Sequence, residues 1–156
     1  MQTIDSIEGL IETHPFWFGL GPAHVHFLRE RATLRRFASH QQIFHEGGNA
    51  DHFYLILSGK VALETFVPGA GMTTIQTLGP GEALGWSWLF PPYQWHFTAR
   101  TAEPTEVVSF EAARLREKAE DDRDFRDELL TRSAKMLLNR LENTRMQLID
   151  FYGMRP

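Results

Sequence analysis

Three stretches of the chain carry residues that could do chemistry. In "HVHFLRE", His24, His26 and Glu30 stand at a spacing suited to metal ligation. On a strand the three side chains would share one face and could meet one ion. On a helix His24 and His26 lie about 200° apart, and only His26 and Glu30 align. In "LRERATLRRF", Arg29, Arg31, Arg35 and Arg36 form either a basic patch for nucleic acid or a solvated helix face paired with acids such as Glu30. In "LGWSWLFPPYQWHFTAR", residues 84–100, Trp86, Trp88 and Trp95 fall within ten positions around Pro91 and Pro92. Clustered aromatics usually fill a core. With Ser87, His96 and the indole N–H groups as polar handles, they also suit the wall of an apolar ligand pocket.

Other chemistry is missing from the pattern. The 156 residues contain no cysteine, so no thiolate ligand, thiol nucleophile or disulfide. There is no Gly-x-Ser-x-Gly elbow and no phosphate loop. "GPGEALG" lacks a following lysine and reads as a turn into the aromatic stretch, with Glu82 exposed. "AEDDRDFRDE" reads as acids at a helix start. The expectation is a protein with no catalytic residues, no metal and no cofactor, and not an enzyme. Apolar residues make up 42% and charged residues 23%, with a formal net charge of -4, an ordinary globular balance. No apolar run approaches a membrane helix. The acidic N-terminus "MQTIDSIEGLIETHPF" is no secretory signal. A cytoplasmic protein with no membrane partner is expected.

The elements that must hold these residues follow from periodicity. Residues 3–36 read as helical, with Ile4, Ile7, Leu10 and Ile11 on one face and Pro22 opening a second run. Residues 37–110 read as short strands punctuated by glycine. "HFYLILSGKVALETF" reads as a strand pair turning at Ser58-Gly59, followed by strands in "TTIQTLGPGEALG" and "TEVVSF". Residues 111–152 are helical again, with a short helix in "EAARLREKAEDD" and a long one from about Asp124 to Tyr152. Leu130, Ala134, Leu137, Leu141, Thr144, Leu148 and Phe151 step by four and three along it, a heptad seam, and Gly153 supplies the stop. The predicted fold class is α+β, mainly β: a double-sheet roll with N-terminal helices and a long C-terminal helix, one domain over 1–156.

"IFHEGGNADHFYLILSGKVAL", residues 43–63, resembles the cyclic-nucleotide-binding domain family, the sensory domain of catabolite-activator-type regulators and of cyclic-nucleotide-gated channels. Ile43-Phe44, Gly47, Ala50, Phe53-Tyr54-Leu55-Ile56 and Gly59 fill the places of the family pattern; Gly48 departs mildly from it. The four apolar residues suit a strand buried on both faces. The resemblance implies a phosphate-binding cassette in which a glutamate holds the ribose hydroxyl and an arginine pairs with the phosphate. Here that cassette is "GWSWLFPPYQWHFTA": Gly85 is kept, Trp86 replaces the glutamate, Trp95 the arginine, and His96 takes the small-residue place. Either Trp86, Trp88, Trp95 and Phe97 fill the old pocket, or they line one re-shaped for an apolar or aromatic small molecule with Ser87 and His96 as polar contacts. Arg100 is the nearest arginine but aligns on the strand leaving the cassette. By the same resemblance Asn143 and Thr144 stand where the long helix touches the ligand's base.

The expected role is therefore a regulatory or sensory module that does not take a cyclic nucleotide in the usual way. The alternatives are a true cyclic AMP or cyclic GMP receptor with unorthodox contacts, and a cupin-like metalloenzyme using the His24, His26 and Glu30 run, since cupins also have a double-sheet roll. The seam predicts a homodimer through the long helix, unless the same residues pack on the roll. In the relatives that helix leads into a DNA-reading domain, which needs roughly 50 further residues. With Pro156 as the last residue, no direct DNA binding is expected.

Overall fold

The computed structural model describes residues 4–153. The first apolar face forms α1 (Ile4–Thr13), which buries Ile11 completely. Gly19 and Gly21 interrupt the helix, and Pro22 at the first helical position opens α2 (Pro22–Arg29), which buries Val25 and Leu28. Between them, "HPFWFGL" drives Phe16, Trp17 and Leu20 into the core. Trp17 meets Phe16, Phe53, Phe110 and Phe125, with ring centroids 4.7 to 6.3 Å apart.

The helical run predicted to reach residue 36 stops earlier. Thr33–Phe37 is a strand, β1, paired residue by residue with β7 (Thr105–Glu111). Leu and Arg are competent helix formers, and here the sheet overrides that weak preference. The remaining strands are β2 (Gln42–Phe44), β3 (His52–Ser58), β4 (Val61–Val67), β5 (Gly71–Leu78) and β6 (Thr98–Thr101). They form two antiparallel sheets, one ordered β1-β7-β3 and one β2-β6-β4-β5. The fold class is as expected from the pattern, a two-sheet roll with helices at both ends. As expected, Phe53, Tyr54, Leu55 and Ile56 are all buried.

The strand pair expected across Ser58-Gly59 is corrected. β3 pairs with β7, whereas β4 pairs with β5 and β6, so the chain changes sheets at this corner. Gly59 has φ +93°, and a Cβ there would stand 2.4 Å from Thr105 Oγ1 and 2.5 Å from the Pro104 carbonyl oxygen. A tight, crowded corner of this kind admits only glycine. The actual hairpin joins β4 to β5 through Pro68, Gly69 and Ala70.

After β7 come α3 (Ala112–Asp121) and α4 (Arg123–Gly153). Asp122 caps α4, its Oδ1 accepting from the Phe125 N–H at 3.0 Å. Phe125, Leu129, Ser133 and Arg140 are the buried residues of α4, with Met136 partly buried against the core. Their spacing of four, four, three and four is one helical stripe. Beyond Arg140 every described residue of α4 is exposed. Those last 13 residues extend the helix by about 20 Å. Among the described residues, no helix is long and apolar enough to cross a membrane.

Candidate functional site

The aromatic cassette lies between Leu84 and β6. Its backbone is anchored at both ends. Leu84 N–H donates to the Tyr54 carbonyl at 3.0 Å. Near the far end Trp95 N–H donates to the Gly48 carbonyl, and Gly47 N–H returns to the Trp95 carbonyl. Gly47, at φ +85°, makes that close exchange possible. Residues 86–90 form a turn, closed by Leu89 N–H to the Trp86 carbonyl at 2.9 Å. A helix start, with its run of unpaired N–H groups for a phosphate, is not formed there.

The indoles occupy the interior. Trp95, expected at the arginine place, is 4% exposed and stacks on Phe44 at 3.7 Å with 8° between the planes. Tyr54 lies beyond at 6.4 Å. Trp88 is 1% exposed, against Phe53 at 4.6 Å. Phe97 is buried, and a Cβ on Gly85, which has φ +133°, would come 3.2 Å from its ring and 3.5 Å from Trp95. Trp86, expected at the glutamate place, is only partly buried; it stacks on His96 at 6.1 Å and meets Phe97 edge-on at 5.7 Å. His96 is exposed, and its Nδ1 stands 2.8 Å from the buried Ser87 Oγ.

The charged neighbours are committed elsewhere. Arg100 on β6 pairs with Glu64 at 3.4 Å and donates to the His40 carbonyl. Arg116 of α3 donates to the Trp88 carbonyl and lies 4.0 Å over the Tyr93 ring. Sequence reasoning missed Arg116, since nothing local links it to a loop 28 residues earlier. Asn143 and Thr144 are both exposed. Asn143 lines a cleft, described next, whose wall includes none of the cassette residues 85–97.

That cleft, of about 380 Å³, opens between the 15–18 segment, the 81–83 turn and the middle of α4. Its wall includes Phe16, Phe18, Glu82, Arg132, Met136 and Arg140. Glu82 is half-buried instead of exposed, because its Oε2 accepts the Gly79 N–H at 2.8 Å. Arg132 is held by Glu128 at 3.2 Å and by the Phe16 and Phe18 carbonyls. Arg140 is 7% exposed, and its Nη1 and Nη2 have no hydrogen-bond partner. Burial pulls its pKa down to about 10, against an opposing pull from Glu82, so it is charged at neutral pH.

The metal-spaced run is helical. His24 packs on Phe125 at 5.5 Å, and His26 pairs with Glu30 at 3.0 Å. Helix geometry thus separates the two histidines. The arginine-rich run is split between α2 and β1, where Arg29 meets Glu8 and Arg36 meets Glu106.

The family profile described as "Cyclic nucleotide-binding domain" matches residues 34–122. The chain belongs to the cyclic nucleotide-binding domain family. It is 26% identical over 132 residues to the CRP-like cAMP-activated global transcriptional regulator of Mycobacterium tuberculosis, covering 85% of this chain and 57% of that one. It is 30% identical over 95 residues to the Cyclic AMP receptor protein of Thermus thermophilus, covering 61% of this chain and 44% of that one. The chain thus spans about half the length of these curated relatives. A solved structure described as a candidate cyclic nucleotide-binding protein from Geobacter metallireducens is 28% identical, with a TM-score of 0.76 over 90% of this chain and 99% of that one. A cyclic nucleotide-binding domain from Methylobacillus flagellatus shares the fold at 18% identity and a TM-score of 0.78, covering 94% of this chain and 83% of that one.

Proposed function

We propose that this chain is a regulatory module that does not hold a cyclic nucleotide through the usual cassette contacts, and that it works as a homodimer. One observation carries the first part. Trp95 stands at the phosphate-binding arginine position, stacked on Phe44 and almost fully buried. An anionic phosphate brought there would meet aromatic carbon in place of a guanidinium, and a buried anion without a partner is strongly disfavoured. Trp86 offers an indole N–H, a donor only, where a ribose hydroxyl would look for a carboxylate acceptor. The Ser–His pair in the site, Ser87 Oγ at 2.8 Å from His96 Nδ1, has its hydroxyl buried away from any incoming substrate, which supports a binding role over an enzymatic one.

The homodimer rests on α4. Leu130, Leu141 and Leu148 of the seam are 44%, 63% and 54% exposed, and they lie outside the buried stripe of α4. Ala134 and Thr144 are also exposed, Leu137 is half-buried, and Phe151 lies further along the same helix. An apolar seam of this kind on a projecting helix suits a second copy of itself.

A second reading has one observation in its favour. The partly open edge of Trp86, with His96 and Ser87 beside it, leaves room for an unorthodox contact to a cyclic nucleotide, and the named relatives are cyclic AMP regulators. Titration calorimetry with cyclic AMP and cyclic GMP separates the two. The proposal expects no saturable heat at millimolar nucleotide; saturable binding of either would replace it with the receptor reading.

A further inference from the structure

Arg140 is a buried charge without a hydrogen-bond partner; the other buried side-chain nitrogen left so among the described residues is the neutral Trp17 Nε1. Most arginines in the protein that carry a described contact are matched to a carboxylate or a carbonyl, as Arg29, Arg36, Arg100, Arg116 and Arg132 are. Arg140 is the exception that is also deeply buried: two of its guanidinium nitrogens lie inside with nothing to donate to. A buried charge left without hydrogen bonds costs several kcal/mol. Its position on the inward stripe of α4 holds it there, one turn past Met136, in the wall of the 380 Å³ cleft.

The cleft is built for a molecule with two ends. Pro15, Phe16, Phe18 and Met136 give it an apolar side. The charges give it a polar one. Arg132 is neutralised by Glu128, and the Glu82 carboxylate accepts a backbone N–H while facing Arg140 without a hydrogen bond to it. Lys135, exposed at the rim, has no ion pair among the described residues. Two cations, Arg140 and Lys135, thus stand against one uncommitted-facing acid, Glu82, leaving a surplus of a single positive charge.

We infer that this cleft binds a small monocarboxylate with an apolar body, its carboxylate meeting the Arg140 guanidinium as that side chain turns its covered, unpartnered Nη1 and Nη2 toward the opening, and its body lying on Phe16, Phe18 and Met136. A planar guanidinium fork matches a carboxylate in two parallel bonds. A single excess charge favours a monoanion over a phosphate dianion, which would also face Glu82. The cavity volume falls in the range of small-molecule sites. The site is separate from the cassette and stands whether or not the cassette takes a cyclic nucleotide.

The test uses the intact chain and sodium benzoate as probe, followed by calorimetry, with hexanoate as an aliphatic carboxylate, benzamide as the neutral analogue and inorganic phosphate as the dianion. Saturable benzoate or hexanoate binding is expected at millimolar concentration or below, with benzamide and phosphate much weaker. Arg140→Gln should weaken carboxylate binding about ten- to hundred-fold, the worth of a hydrogen bond to a charged group. Lys135→Gln, at an exposed position that folding does not need, should weaken it several-fold and serves if Arg140→Gln does not fold. Absence of binding by both carboxylates, equal binding of benzamide, tighter binding of phosphate, or unchanged affinity in the variants would each overturn the inference.

Discussion

His14 shows how a single buried side chain sets the protein's response to acid. Its Nδ1 accepts the Phe16 N–H at 3.1 Å and its Nε2 lies 3.2 Å from the Ile56 carbonyl, so the neutral ring carries its proton on Nε2. Burial, partly offset by the Ile56 bond, lowers its pKa from 6.5. Above that value the folded and unfolded chains are both neutral at this residue, and its contribution is complete. Below it the unfolded chain protonates first, so stability falls with pH until the lowered folded pKa is reached. Urea midpoints at about pH 7.5 and about pH 5.5 should therefore differ, and His14→Gln should narrow the gap. A gap unchanged in His14→Gln would assign the acid response to other groups. The glycine corner makes a companion case. Gly59→Ala meets both a left-handed φ and the Thr105 and Pro104 atoms, whereas Gly69→Ala, at φ +85°, has nothing within 4 Å. Unfolding free energies should drop by at least about 2 kcal/mol for the first and about 1 kcal/mol for the second. At this scale much was legible in advance. The places of Gly47 and Gly59 followed from the family pattern around the strand. The reading of Trp86 and Trp95 as standing in for both cassette anchors came from the family resemblance. What the letters could not give was orientation: whether an indole points in or out depends on Phe44 and Phe97, which reach it from β2 and the cassette's own end.

At the scale of elements, α4 has two faces with separate duties. Phe125 is fully buried against Trp17, His24 and Phe27. Leu141 and Leu148 face away from the roll. Phe125→Ala should cost about 3–5 kcal/mol in unfolding free energy and leave the association state unchanged. The double variant Leu141→Glu, Leu148→Glu should leave the fold nearly as stable but move the sedimenting species from dimer to monomer. A wild-type chain that sediments as a monomer at high concentration would defeat the seam. The heptad pattern was plain in the sequence because both faces obey helical spacing. The inward stripe was harder to see, since Ser133 and Arg140 are polar and an arginine in register with a buried face reads as solvated. The strand pairing escaped for another reason. Alternation locates a strand but carries no sign of which sheet it joins, and a serine-glycine corner looks the same in a hairpin and in a crossing. β1 was read as helix because its Leu and Arg residues favour helix until β7 is beside them.

For the whole molecule, the cleft sits where α4 leaves the body. Up to Arg140 one face of α4 is buried, and beyond it every described residue of the helix is exposed. A carboxylate that binds only the folded chain adds about 2.7 kcal/mol to its stability at one hundred times its Kd. Chemical denaturation with and without saturating benzoate measures this directly, and no increase would speak against a folded-state site. Arg140→Met removes the unmatched charge and keeps the apolar stem, so the unliganded variant should be about 1–4 kcal/mol more stable than the parent and indifferent to benzoate. A ligand at this point shifts the projecting helix only to the extent that it prefers one helix position over another.

The stack of Trp95 on Phe44 also bears on heredity. A single base change turns the tryptophan codon into an arginine codon, so the genetic step toward an ordinary phosphate anchor is as short as a step can be. The physical step is not. Arginine at 95 would enter a space shaped by Phe44, Tyr54 and Phe97, with no phosphate yet there to meet it. Trp95→Arg alone would therefore bury an unpaired charge among aromatic rings and cost stability without supplying a phosphate site.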